Sequence, residues 1–347
     1  MFRGRIRSVV RPAAAAVVLG AALGAGWPAA AAASGSPGTT TTTSSSTTTT
    51  APSPVKASVK LYLPDVFWVQ HGPVTVPKRV VHVVGIVGPY VPGQSVVVQA
   101  LIGSRVFKTK RVALARTSGG RYGHFRVALA SPGVGEVTVK VTHAASAQML
   151  GWSSDRRFAA LDEHVRPGSR GRLVELIQQR LAALHFYIPQ TGVFDQGTGL
   201  ALDAYHRLLR WGEGNESLDG RTISFLLDGY GTFKVRYPNH GEHAEGDLAE
   251  QVLALVNGSK VQELFPISSG KPSTPTILGD FHVYSRVPGY LPDGMYYSDF
   301  FIRGYAIHGY DPAPDYPASH GCMRLPIVDA ITVYDWMRIG DWVDVYY

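Results

Sequence analysis

Ala306-Ile307-His308-Gly309 and, one short loop later, Pro317-Ala318-Ser319-His320-Gly321-Cys322-Met323-Arg324 place the single cysteine of this 347-residue chain beside two histidines. The chain also begins like an exported one. A lone exported thiol cannot form an internal disulfide, so it is buried and inert, joined to another chain, or kept for its reactivity. Its neighbours favour reactivity. A free thiol is only a few per cent thiolate at neutral pH and needs a base, while the base needs an orienting group and the acyl substrate needs N–H donors for its oxyanion. Gly321 gives the backbone a tight path beside Cys322, and the N–H groups around Gly321 and Cys322 are candidates to face a tetrahedral intermediate. If a strand runs through this stretch, His320 and Cys322 project to one face. On spacing alone either His308 or His320 can be the base. A metal site of Cys322, His308 and His320 lacks the paired-ligand spacing. A papain-like peptidase would place its cysteine before its histidine, the reverse of the order here.

Outward from this stretch, residues 240–347 read as a mostly-β domain. The apolar run 251–267 turns at Asn257-Gly258 as a hairpin, and Ile307, Val328 and Trp342-Val343-Asp344-Val345-Tyr346 suggest further strands. A helix fits 326–337, with Gly340 as its stop. Upstream, Leu173, Leu176, Ile177, Leu181 and Leu184 recur at helical spacing over 171–184, and further helices fit 196–209 and 219–227, the last capped by Asp219 or Thr222. These make a three-helix module over 166–229. Residues 55–150 carry short β-branched runs at 80–88, 94–102, 107–115, 123–129 and 136–143 between Pro/Gly turns, the pattern of an all-β, immunoglobulin-like sandwich. Residues 34–54 are Ser/Thr-rich and too polar to pack, a disordered spacer. Residues 1–33 join Arg3, Arg5, Arg7 and Arg11 to an Ala-rich apolar stretch, reading as a signal peptide or, uncleaved, a membrane anchor. The chain is therefore multidomain and exported. Its formal charge of +7 and pI near 9.4 suit an acidic partner such as a wall polymer or lipid headgroups, or simply solubility. With no basic helix or aromatic-basic motif, nucleic acid is not the expected partner.

Two resemblances add to this reading. Gly171, Gln178-Gln179, Leu181, Leu184, Gly192, Phe194-Asp195, Thr198, Ala201, Ala204 and Tyr205 resemble the peptidoglycan-binding type 1 module, which implies contact with glycan. His185-Phe186 stands where that family has Gly-Tyr, and Tyr205-His206 where it has Phe-Gln. Residues 240–347 resemble the L,D-transpeptidase catalytic domain through His308-Gly309, Ser319-His320-Gly321-Cys322-Met323-Arg324, Pro266-Ile267-Ser268-Ser269-Gly270-Lys271, Thr274-Pro275, Gly279-Asp280-Phe281 and Gly340-Asp341-Trp342-Val343.

The second resemblance implies that Cys322 is the nucleophile and His308 the base, oriented by the Gly309 carbonyl. It implies that His320, with Ser319, shapes the pocket and oxyanion hole, and that Tyr297, with Tyr296 and Phe300, lines the acyl-donor groove. Arg324 is expected to meet a substrate carboxylate or to pair with Asp329 or Asp335. The implied reaction attacks the L-centre carbonyl at the third residue of a peptidoglycan tetrapeptide stem, expels D-alanine, and passes the acyl group to a neighbouring stem as a 3→3 cross-link. It uses no metal or organic cofactor, is open to carbapenem-type inhibitors, and takes place in the cell wall or at the outer face of a bacterial membrane. Water or a protein lysine as acceptor, or a wall-binding protein without activity, are the alternatives.

Overall fold

The computed structural model describes residues 53–211 and 218–347. The expected signal or anchor at 1–33, and all but the last two residues of the expected linker at 34–54, lie outside the described residues.

The first ten strands form two sheets that share one core. They are β1 (Ser58–Tyr62), β2 (Phe67–Val69), β3 (Gly72–Thr75), β4 (Val80–Gly88), β5 (Ser95–Ile102), β6 (Arg105–Ala113), β7 (Ala115–Arg116), β8 (Gly123–Ala130), β9 (Gly135–His143) and β10 (Trp152–Ala160). The sheet orders are β1-β4-β8-β7 and β2-β3-β10-β9-β5-β6. Alternating Val81, Val83, Val87, Val96, Val98, Val137, Val139 and Val141 fill the space between them, as period-two patterning requires. β10 carries the sheet region past the expected boundary at 150. Its Trp-Ser-Ser-Asp-Arg-Arg start has little strand propensity, yet it pairs along its length with β9 and, in parallel, with β3.

Three helices follow: α1 (Arg172–Ala183), α2 (Gln196–Leu208) and α3 (Gly220–Asp228). The carboxylates of Asp195 and Asp219 cap α2 and α3 by accepting the N–H groups of Thr198 and Thr222, which satisfies otherwise orphaned donors. Gly229, in the left-handed conformation, ends α3.

The remainder comprises β11 (Glu242–Asp247), β12 (Val252–Asn257), β13 (Lys260–Pro266), β14 (Gly279–His282), β15 (Ser285–Tyr290), β16 (Tyr296–Ile302), β17 (Tyr305–Gly309), β18 (Met323–Leu325), α4 (Ile327–Trp336) and β19 (Trp342–Tyr346). They form sheets β13-β12-β11-β19-β14 and β15-β16-β17-β18. α4 ends at Met337, whose extended backbone stops it before Gly340.

The helices pack directly on the strands that follow them. Every residue of β12 from Val252 to Val256 is fully buried. Val252, Ala254 and Val256 join the core of α1–α3, while Leu253 and Leu255 join the core shared with β17, β18 and α4. A strand covered on both faces reads as an unbroken apolar run. Val69, Val74, Val76 and Ala159 of the two-sheet region enter the same helical core. The chain between α1 and α2 also docks on β13: Leu264 N–H donates to His185 O, and Tyr187 N–H to Leu264 O.

Candidate active site

Parallel strands β17 and β18 set the site. Their register opposes Ile307 to Met323 and His308 to Arg324. Ile307 and Met323 point into the core at 0% exposure, so alternation turns His308 and Arg324 to the other face. Cys322 lies just before β18, in a bend rather than in the strand. Cys322, His308, Arg324, Ser319 and His320 border one cavity of about 410 Å³, together with Asp293, Met295, Arg303, Gly304, Tyr305 and Tyr310.

Buried His308 uses its Nδ1 on the Gly309 carbonyl, at 2.8 Å. The carbonyl accepts, so Nδ1 carries the hydrogen and Nε2 is left as the basic nitrogen. Burial pushes the imidazole down to about 4; the Gly309 bond opposes this and the Arg324 charge adds to it. The Cys322 thiol is shifted up by burial, against the pull of the Ala306 N–H and the Arg324 guanidinium. At neutral pH the resting pair is therefore neutral thiol and neutral imidazole. Sγ lies 3.8 Å from the Gly304 carbonyl.

The loop before the thiol is held from within and behind. Gly321 N–H donates to Ser319 Oγ at 3.0 Å, and Ser319 Oγ donates to Cys322 O at 2.6 Å. Of the two N–H groups expected to face an oxyanion, that of Gly321 is thus engaged by the loop itself. Gly321 has φ +118, and a β-carbon there would sit 1.9 Å from Tyr305 Cε1, so only glycine fits. Behind the loop, Ser268 exchanges two backbone bonds with Arg324, and Ser269 O accepts from Ala318 and Ser319. Gln251, itself buried, holds Ser269 through Oε1 and Nε2. Gln251 rests on α2: Arg207 Nη1 donates to Gln251 O at 3.1 Å and Ile267 O at 2.8 Å. Its Nη2 pairs with buried Asp203 at 2.5 Å.

The other expected residues fall at different distances from the thiol. Exposed His320 accepts from Lys271 Nζ at 3.2 Å. Arg324 forms no ion pair with Asp329 or Asp335; it lies 3.9 Å over the Tyr310 ring. Tyr297 is not on the cavity wall. Register shifts along β16 and a φ of +50 turn its ring edge-on to Tyr334 of α4, at 5.0 Å. Asp293, Arg303 and Tyr305 border the cavity without a signal in the sequence, because loops and a hairpin turn bring them there.

Residues 241–345 match the YkuD family, the L,D-transpeptidase catalytic domain. They form a YkuD-type L,D-transpeptidase catalytic domain. Among solved structures, an L,D-transpeptidase from Xylanimonas cellulosilytica is 29% identical, covering 53% of this chain and 98% of that one, with a TM-score of 0.49. A Cys-to-Ser variant of the Enterococcus faecium L,D-transpeptidase is 25% identical over 30% of this chain and 50% of its own, with a TM-score of 0.28. The E. faecium catalytic domain acylated by ertapenem is 27% identical over 30% of this chain and 97% of its own, with a TM-score of 0.27. No curated protein matches the chain. The thiol, the imidazole and the Gly309 carbonyl all lie within the matched L,D-transpeptidase domain.

Proposed function

We propose that the protein is an exported cell-wall L,D-transpeptidase that forms 3→3 peptidoglycan cross-links through a thioester on Cys322. The observation that carries this is one cavity holding a thiol and an imidazole whose Nδ1 is already committed to Gly309 O, within the family-matched segment.

His308 Nε2 takes the thiol proton as sulfur bonds to the carbonyl carbon at the L-centre of the donor stem, and the π electrons move onto oxygen. We assign oxyanion stabilisation to the Cys322 N–H rather than that of Gly321, with the Arg324 charge nearby. Collapse breaks the C–N bond, and the D-alanine amine leaves with the proton from His308. An acceptor amine then attacks the thioester and passes its proton to His308. Collapse of this second intermediate expels thiolate, which recovers that proton. A base near 4 is weak, so it acts by accepting the proton as the bond forms and not by keeping a standing thiolate. Carbapenem-type β-lactams acylate the same sulfur in this reading. Export is supported by the basic and apolar character of 1–33.

The test is mass spectrometry of a disaccharide-tetrapeptide incubated with the protein and with Cys322→Ala. Cross-linked dimers lost in the variant are expected. Cys322-dependent tripeptide without dimers would make the protein a carboxypeptidase, and no thiol-dependent product would overturn the acyl-transfer reading.

A further inference from the structure

The positive charge of this chain is concentrated in one part of it. Residues 53–160 hold 14 Lys and Arg against 3 Asp and Glu, whereas residues 161–347 hold 15 against 23. The 70 residues 66–135 contain no Asp or Glu and 9 Lys and Arg.

The fold gathers six of these along one side of the two-sheet region. β6 ends the six-stranded sheet and continues through buried Leu114 into β7, which ends the four-stranded sheet. Arg105, Lys108, Lys110 and Arg111 stand on β6, Arg116 on β7 and Arg121 in the turn after it, all exposed. Elsewhere in this region Arg79 and Arg157 pair with Asp228 and Asp155. None of the six has a carboxylate partner among the described residues; Arg116 and Arg121 lie over the rings of Tyr90 and Tyr122.

Lysines on an outer strand deter pairing with other sheets, and that accounts for Lys108 and Lys110. It does not account for the absence of every carboxylate from 66–135, which includes β8 in the other sheet. Six unneutralised cations repel one another, and a ligand that relieves this must be anionic.

We propose that this edge binds a linear phosphodiester polymer, with phosphates lying along β6 and β7. Lys108 and Lys110 share a face with Ala100 and Val98, and Arg111 shares the opposite face with Val97. Successive same-face positions are about 6.8 Å apart, and guanidinium forks suit phosphate oxygens. A flexible chain laid along an edge reaches both faces, whereas a bilayer surface meets one and takes apolar anchors with the charge. The acidic remainder repels the same polymer, so the active-site cavity stays open to stem peptides.

The experiment measures binding of the full-length protein to poly(glycerol phosphate) over a salt series. It compares wild type with K108Q/K110Q/R111Q and with R166Q/K234Q/K260Q, which removes equal charge from exposed positions elsewhere. Each cation that displaces a counterion from a flexible polyanion contributes about 0.7 to the slope of log affinity against log salt. The edge variant is expected to lower the slope by about 2, and the control variant to leave it near wild type. Equal loss in both variants, or no binding by wild type, overturns the proposal. Binding to phosphatidylglycerol vesicles but not to the polymer overturns it in favour of a membrane surface. Transpeptidation of soluble stems is expected to be unchanged in the edge variant, so failure here is distinct from failure of the proposed activity.

Discussion

Replacing Arg207 by methionine tests whether α2 belongs to the catalytic apparatus. Arg207 and Asp203 are 6% and 4% exposed, and Arg207 spans from that carboxylate to two backbone carbonyls of the neighbouring sheet region. Removing one partner of such a pair leaves a buried carboxylate uncompensated, at a cost of about 3–5 kcal/mol. For a folded unit of this size that is roughly 10 °C in Tm. Burial already holds the Asp203 carboxyl above its ordinary range, against the pull of Arg207. Without Arg207 it rises further. A raised carboxylate costs nothing while protonated and its full penalty once forced to ionise, so the variant loses less stability at pH 5 than at pH 8.

Asp203→Leu/Arg207→Met separates folding from catalysis. Replacing both partners of a buried pair by apolar groups is close to neutral, so most of the lost Tm returns. Gln251 O keeps the Ile267 N–H but loses Arg207, and Ile267 O loses the donor that Arg207 gave it. They lead to the cavity: Gln251 holds Ser269, Ser269 receives Ala318 and Ser319, and Ser268 pairs with Arg324. Loosening this cradle by the worth of one hydrogen bond, about 1.4 kcal/mol, slows the chemical step about tenfold. The assay is the time course of Cys322 acylation by a carbapenem, read by intact mass beside thermal unfolding. A double variant with native Tm and wild-type acylation would refute the coupling. So would a single variant that loses less than about 1 kcal/mol, because the pair would then carry no more than an exposed one.

Gly321→Ala forces a methyl group to within 1.9 Å of Tyr305 Cε1 at a φ of +118. Acylation is expected to fall roughly 100-fold through displacement of the thiol. Adding Tyr305→Ala relieves the clash but not the backbone strain, so its rescue is partial; full rescue would show that φ does not matter there. The neutral thiol–imidazole pair also has a pH signature. Only thiolate reacts with iodoacetamide, so alkylation of Cys322 should rise roughly tenfold per pH unit from 7 to 9, with no plateau; a plateau below pH 7 would instead indicate a standing ion pair. Because the His308 imidazole sits near 4 when folded, against 6.5 ordinarily, the unfolded chain binds more protons between these values. His308 thus contributes stability that is lost as pH falls from about 6.5 towards 4, and urea unfolding at pH 7 and pH 4.5 should show that loss diminished in His308→Gln.

Much of the site was legible because its parts are local. His308, Ser319, Cys322 and Arg324 sit on two adjacent strands and the bend entering one of them, so a short motif captures them. Tyr297 shows where locality fails, since a shift of strand register re-aims a side chain and leaves no trace in composition or period. The tie between the helices and the catalytic sheet was hidden for a different reason. The partners of Arg207 lie 44 and 60 residues further along the chain, beyond any periodicity argument. One sign was nevertheless present. Val252-Leu253-Ala254-Leu255-Val256 is apolar at every position, where Lys260-Val261-Gln262-Glu263 of the partner strand has a single apolar residue. A sheet with only one covered face would not need Val252, Ala254 and Val256. Those side chains require a second layer, and the helices upstream are the candidates to supply it. His185 fits the same picture. It adopts φ +72, a conformation glycine takes without strain, at the position where the resembling helical family has glycine. The strained turn lets the His185 carbonyl receive Leu264 N–H and sends Phe186 into the shared core. The segment whose sequence departs from a free-standing module is thus the one that ties the helices to the catalytic sheet.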